Sequence, residues 1–165
     1  MSENRPDWLP DLISTDGNWK EEILPNLYNI FRKDFIYGRP KLDDKKVYWN
    51  KTKDKDNKYE NGFWHLITIG NSNSNERIFD PRRAERLPWC APSIKHFNND
   101  IIKYWEYKES ANRINIYLWL ENLDYVIIFE KRNIKGDNIA FMLTAYYVGS
   151  STKKKLRRKY NERLI

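Results

Sequence analysis

The sequence predicts an α+β fold, with N-terminal helices packed on a four-stranded, mainly antiparallel β-sheet and a basic helix at the C-terminus. Three observations predict it. Residues 19–31 place Trp19, Ile23, Leu24, Leu27, Ile30 and Phe31 at three- and four-residue spacing, the period of a helix. Residues 114–148 hold three runs of β-branched and aromatic residues separated by short turn signals. The last stretch repeats Leu156, Tyr160 and Leu164 every four positions among Lys153, Lys154, Lys155, Arg157, Arg158, Lys159 and Arg163, a thin apolar stripe on a cationic helix.

Composition bounds the rest. A chain of 165 residues is one domain, large enough to bury a core. Aromatics make up 15%, with seven Trp and eleven Tyr, too many large rings for a disordered chain. The net charge of +7 favours polyanionic partners, nucleic acid first and an anionic membrane second. One cysteine, Cys90, excludes an intrachain disulfide, and with only two histidines it leaves no Cys/His cluster for zinc. No apolar run approaches the ~20 residues that span a bilayer, and the first residues lack the basic and apolar regions of a signal peptide. The expectation is a soluble cytoplasmic protein with no metal or cofactor.

In order, residues 1–14 carry Pro6 and Pro10 with Trp8, Leu9, Leu12 and Ile13, and read as an arm packed on the body. The helix over 19–31 contains Pro25, which should kink or divide it. Residues 1–44 are thus an arm and helix packed on the same domain, and 45–165 form its main body. Residues 45–49 suit a short strand, and the mixed-charge stretch 51–61 an exposed loop.

Residues 63–69 are nearly continuously apolar between glycines, the pattern of a strand buried on both faces. Alternation then puts Phe63, His65, Ile67 and Ile69 on one face and Trp64, Leu66 and Thr68 on the other. Residues 71–75, only Asn and Ser, read as a flexible loop. Asp80 followed by Pro81 predicts a helix start, with Arg82 and Arg86 sharing a face and Arg83 beside Arg86. Pro88 stops that helix and Pro92 begins another, with Ile94, Phe97, Ile101 and Tyr104 or Trp105 as its stripe and His96 on its polar side. Strands over 114–120, 125–131 and 139–148 then form a meander, with Gly136 supplying a positive φ in the second turn. The His65 strand could join its edge. After Gly149, Ser150 or Ser151 can cap the terminal helix.

Seven cations on that helix repel one another unless a polyanion relieves them, which makes Lys153, Lys154, Lys155, Arg157 and Arg158, with Arg86, candidates for contact with nucleic acid. In the last strand Thr144 and Tyr146 share a face. A hydroxyl in so apolar a strand must find a partner or face a cleft. His65 and Thr144 gain meaning beside Arg82, Arg83 and Arg86. RNA cleavage without a metal needs a base for the 2′-hydroxyl, a cation for the phosphoryl oxygens and an acid for the leaving 5′-oxygen. Histidine titrates in the useful range, and the arginine fork donates two hydrogen bonds at once.

The N-terminal helical part, the run Phe63-Trp64-His65-Leu66-Ile67, and the final strand with Leu143, Thr144, Ala145, Tyr146 and Tyr147 before a Lys/Arg-rich helix resemble the barnase/EndoU/colicin E5/RelE-like (BECR) superfamily. Among its members, the toxin domains of phage and bacterial conflict systems are most similar. The likeness covers about residues 45–164. It implies a metal-independent endoribonuclease that leaves a 2′,3′-cyclic phosphate on tRNA, mRNA or rRNA, with an acidic antitoxin or immunity protein as partner. It also implies His65 as the proton-transfer residue, Thr144 and Tyr146 as the hydroxyl pair, and Arg82, Arg83 or Arg86 as the phosphate clamp. The alternative is a basic module that binds nucleic acid or a host protein without chemistry, in which His65 and Thr144 are core residues.

Overall fold

The computed structural model describes residues 5–70 and 76–164. The expected polar loop over 71–75 lies outside the described residues, as do residues 1–4 of the arm. The Asn18 side chain accepts from the Lys20 and Glu21 amides and starts the first helical segment. That segment is a π-helical turn (Trp19–Ile23), the helix α1 (Leu24–Phe31) and a second π-helical stretch (Arg32–Tyr37). Pro25 sits in the first turn of α1, where a missing N–H is tolerated, so the segment divides there.

Two short strands follow, β1 (Lys41–Leu42) and β2 (Lys45–Trp49). The expectation fails next. Residues Asn61–Ile67 form a helix, α2, and only Thr68–Gly70 is a strand, β3, paired with β4 (Arg77–Phe79) in a separate two-stranded sheet. The buried Phe63, Leu66 and Ile67 stand three and four apart, a helical stripe that a continuous apolar run conceals. Gly62 lies against β2: a Cβ there would come within 2.8 Å of the Trp49 Cβ and 3.0 Å of the Asn50 nitrogen. Gly62→Ala is therefore expected to cost about 1–3 kcal/mol through overpacking, readable as a lower urea midpoint with an unchanged slope.

The Asp80 carboxylate accepts from the Arg82 and Arg83 amides and starts α3 (Pro81–Glu85), as its sequence predicts. After a 3₁₀ turn at Leu87–Trp89, α4 runs only over Cys90–Lys95. The helix predicted to continue through Tyr104 and Trp105 ends because Asn98, Asn99 and Asp100 break it; the Asn99 side chain accepts from the Ile101 amide. Tyr104 and Trp105 belong instead to β5 (Lys103–Ser110). The meander then continues as β6 (Arg113–Leu120), β7 (Tyr125–Ile134) and β8 (Asp137–Tyr147). β7 and β8 meet at Lys135 and Gly136, both at positive φ (52° and 91°), the two-residue hairpin geometry that glycine favours.

The main sheet thus has six strands, not four, in the order β1-β2-β8-β7-β6-β5. Every pairing is antiparallel except β2 with β8, where Val47, Tyr48 and Trp49 lie opposite Ala140, Phe141 and Met142. The strand beside β8 is therefore β2, and the His65 segment reaches the sheet as a helix.

One face of the sheet carries the main core. Ile116, Leu118, Leu120, Tyr125, Ile127, Phe129, Ala140, Met142 and Ala145 cluster there with Leu9, Leu27, Phe31, Phe35 and Phe63, so the first 44 residues share the core of the remainder. The opposite face packs Trp105, Tyr117, Trp119, Val126 and Val148 against Leu156 of α5 (Ser150–Asn161). Met142 and Ala145 share a face although three residues apart, because a bulge at Leu143 shifts the register of β8 against β7. Strict alternation, which groups Phe141 and Leu143 with Ala145, misses that shift.

α5 starts at Gly149 without a side-chain cap, so neither Ser150 nor Ser151 plays that part, and the helix ends before Leu164, which is 40% exposed. Four of the seven cations expected on this helix are held in ion pairs. Lys153 pairs with Asp124 (2.7 Å), Arg157 with Glu121 (3.2 Å), Arg158 with Glu162 (3.3 Å) and Lys159 with Glu109 (2.8 Å), so carboxylates, one from β5 and two from the turn between β6 and β7 among them, offset part of the repulsion. Burial alone would raise the Glu109 carboxyl, but hydrogen bonds from Lys159 and Tyr117 hold it below its ordinary range. The stability this gives is full above the ordinary value of 4.5 and is lost as the pH falls through the folded-state value. Glu109→Gln should destabilise the fold by about 1 kcal/mol at pH 7, with the difference from wild type shrinking in urea titrations at pH 3–4.

Candidate active site

β2 pairs with β8 only through Ala140, Phe141 and Met142. Beyond Met142 the outer edge of β8, from Leu143 to Tyr147, is met by α2 and α3. Their side chains bring charged and hydroxyl groups together at this edge.

The centre is Arg83. Its Nη1 donates to the His65 carbonyl (3.0 Å), the Thr68 carbonyl (2.7 Å) and the Thr144 hydroxyl (3.3 Å), two hydrogens divided among three acceptors. The guanidinium lies over the Tyr146 ring at 5.3 Å. Its Nε is 3.6 Å from the Asp80 carboxylate and, though buried, has no hydrogen-bond partner among the described residues. Burial lowers the Arg83 pKa, with Asp80 opposing, yet an arginine remains charged at any working pH.

Arg77 of β4 adds a second guanidinium. Its Nε donates to the Thr68 hydroxyl and its Nη2 to the Thr68 carbonyl, both at 2.8 Å, while Thr68 donates back to the Trp64 carbonyl at 2.6 Å. Thr68 is thus a fully buried hinge between α2 and the two arginines.

His65 is half-buried in this cationic surrounding. Burial lowers its pKa first and Arg77 second, with Arg83 adding to the effect; a hydrogen bond to the Leu143 backbone opposes them. The outcome is an imidazole that is neutral at pH 7. A neutral imidazole keeps one ring nitrogen with its lone pair, the form a general base requires. Burial also raises the Tyr146 phenol, against the lowering effect of Arg83, so it stays protonated and can donate.

Of the residues expected to act together, His65, Arg83, Thr144 and Tyr146 are brought to one place from three separate elements. Arg82 and Arg86 share a face as expected, but that face is turned to Tyr147, over which they lie at 4.9 and 4.8 Å. Arg86 is further engaged by Glu85 (2.6 Å) and the Arg82 carbonyl (3.0 Å). Of the three arginines left open by the sequence, only Arg83 bonds to the His65 and Thr144 positions. Lys153, Arg157 and Arg158 are in the ion pairs described above, and Lys154 and Lys155 are exposed on the outer face of α5. His96 ends α4 and stacks on Trp8 at 4.4 Å.

Two participants were not foreseen. Arg77 follows a polar loop, in a segment too short for a periodic signal. The Leu143 backbone enters only through the bulge, and a backbone group has no signature in sequence. Among the described residues, no group of three or more His, Cys, Asp or Glu is placed to hold a metal ion, and no helix is long and apolar enough to cross a membrane. No protein-family model, curated protein or solved structure matches the chain, so its function is to be read from these side chains.

Proposed function

We propose that this chain is a metal-independent endoribonuclease, acting as a toxin or conflict effector. The observation that carries this reading is the convergence of a neutral histidine, a threonine hydroxyl and a protonated tyrosine around one guanidinium that retains a buried N–H without a partner among the described residues. His65 takes the proton of a 2′-hydroxyl, and the 2′-oxygen forms its bond to phosphorus. The bond from phosphorus to the 5′-oxygen breaks, and the Tyr146 phenol gives a proton to the departing oxygen. Arg83 and Arg77 balance the charge that builds on the non-bridging oxygens, with Thr144 orienting the phosphate. The products are a 2′,3′-cyclic phosphate and a 5′-hydroxyl. An acidic antitoxin or immunity protein would cover this cationic edge.

The test is a short oligoribonucleotide incubated in EDTA and read by mass spectrometry. The expected 5′ fragment is lighter by one water than the corresponding 3′-phosphate. A second reading, a basic module that binds without chemistry, is favoured by one observation: Arg83 is already bonded to two backbone carbonyls, as a purely structural residue would be. Intact oligonucleotide, still bound by the protein, would establish that second reading and end the first.

A further inference from the structure

A cleft of about 730 Å³, lined by none of the His65 cluster, lies between the end of the first helical segment and the outer edge of β2. Its size is within the roughly 300–1,000 Å³ of small-ligand sites. The helical segment and the turn after it contribute Phe35, Ile36, Arg39 and Pro40. β1 contributes Lys41, β2 contributes Lys46 through Trp49, and Lys51 and Glu60 complete the wall. β1 covers β2 only opposite Lys45 and Lys46, so from Val47 onward this side of β2 is free of a neighbouring strand.

Three features set the cleft apart. Arg39, Lys41, Lys46 and Lys51 are all exposed, and no ion pair engages them among the described residues, whereas four cations of α5 are paired. The one carboxylate, Glu60, accepts from the Tyr28 hydroxyl. Aromatic surface is interleaved with this charge: Lys51 lies 5.9 Å from the Tyr48 ring and 5.2 Å from that of Trp49. Finally, the Trp49 indole N–H is buried without a hydrogen-bond partner among the described residues, a donor that a ligand acceptor would satisfy.

Unpaired cations beside aromatic rings are what a single nucleic-acid strand requires, the cations following its phosphates and the rings receiving its bases. Position supports the same occupant. Trp49 lies opposite Met142, and Thr144 follows it on β8 across the bulge at Leu143, at most ~7 Å along the strand. One strand can therefore reach from the cleft to the edge of β8. We propose that this cleft is a subsite for single-stranded RNA flanking the bond to be cut. The inference rests on the ribonuclease reading for the second half of that statement only.

The experiment uses a fluorescent 2′-O-methyl oligoribonucleotide, which lacks the attacking hydroxyl, and follows its anisotropy with the full chain. The cleft variant is Lys46→Glu with Lys51→Glu, the stacking variant is Tyr48→Ala, and the control is Lys108→Glu, an exposed charge reversal on β5. The expected result is a loss of affinity of about tenfold or more and a shallower salt dependence in the cleft variant. A smaller loss is expected in Tyr48→Ala, and a change within about twofold in the control. Unchanged affinity in the cleft variant overturns the proposal, as does failure of the wild type to bind. Tighter binding of a polyglutamate peptide that displaces the oligonucleotide also overturns it, and makes the cleft a protein-docking site. The two readings separate cleanly. Affinity lost in the cleft variant, with no cleavage of natural RNA by any preparation, keeps the subsite and removes the ribonuclease; cleavage with undiminished affinity does the reverse.

Discussion

Replacing His65 with alanine is expected to lower RNA cleavage by about 10²–10⁴-fold while leaving RNA affinity and the fold in place. The reason for retained folding is local. His65 is half-buried, and the apolar stripe that holds α2, formed by Phe63, Leu66 and Ile67, does not include it. Its carbonyl, which receives Arg83, belongs to the backbone and survives the substitution. Circular dichroism and a urea midpoint near wild type, with cleavage lost, are the expected pair of results. A marked fall in the midpoint would instead identify His65 as a core residue.

The pH profile adds a directional test. A base must be neutral, and burial with Arg77 and Arg83 lowers the His65 pKa from 6.5, so the acidic limb of kcat/KM should lie below pH 6.5. Arg77→Gln removes a neighbouring cation, which raises the histidine and moves that limb to higher pH. The same lowering affects stability. Its contribution is complete above pH 6.5 and is lost as the pH falls through the folded-state value, because the unfolded chain takes up the proton first. His65→Ala should flatten that part of the stability profile.

The second large effect concerns Arg83. Arg83→Ala leaves the His65 carbonyl without its donor and the Thr68 carbonyl with Arg77 alone, and a buried polar group deprived of a partner costs about 1–3 kcal/mol. The variant should therefore unfold at lower urea, followed by tryptophan fluorescence. Loss of a charge-stabilising donor should also lower cleavage by about 10²–10³-fold in conditions where the variant is folded. Arg83→Lys separates the two contributions. An ammonium restores charge but not the planar fork, so it should recover more stability than activity. Equal recovery of both would mean that Arg83 acts only as a brace for α2.

Much of the sheet was legible because its signals are local. The meander β6-β7-β8 follows from alternation and from Gly136, and α3 from Asp80 with Pro81. The strand β2 could be read from 45–49, but its parallel partner could not, since β8 lies about ninety residues on and no local pattern names it. α2 failed for a different reason. In so short an apolar run the periods of 2 and 3.6 both fit, and tertiary packing decided between them. At the site, His65, Arg83, Thr144 and Tyr146 were legible as residue types. Their geometry was not, because it depends on the bulge at Leu143 and on Arg77, neither of which has a pattern of its own.

The single parallel pairing also fixes an order of events. Strands β5 to β8 are joined by short turns and can form a meander from neighbouring contacts, whereas β2 and the helices before it must wait for the last strand to close a long loop. The edge that receives His65 and Arg83 belongs to that same last strand. A chain lacking β8 can pair β5, β6 and β7 but has neither the β2 pairing nor the constellation, and the cationic edge exists only once β8 is in place. On the ribonuclease reading proposed above, the segments made before β8 would be inert toward RNA.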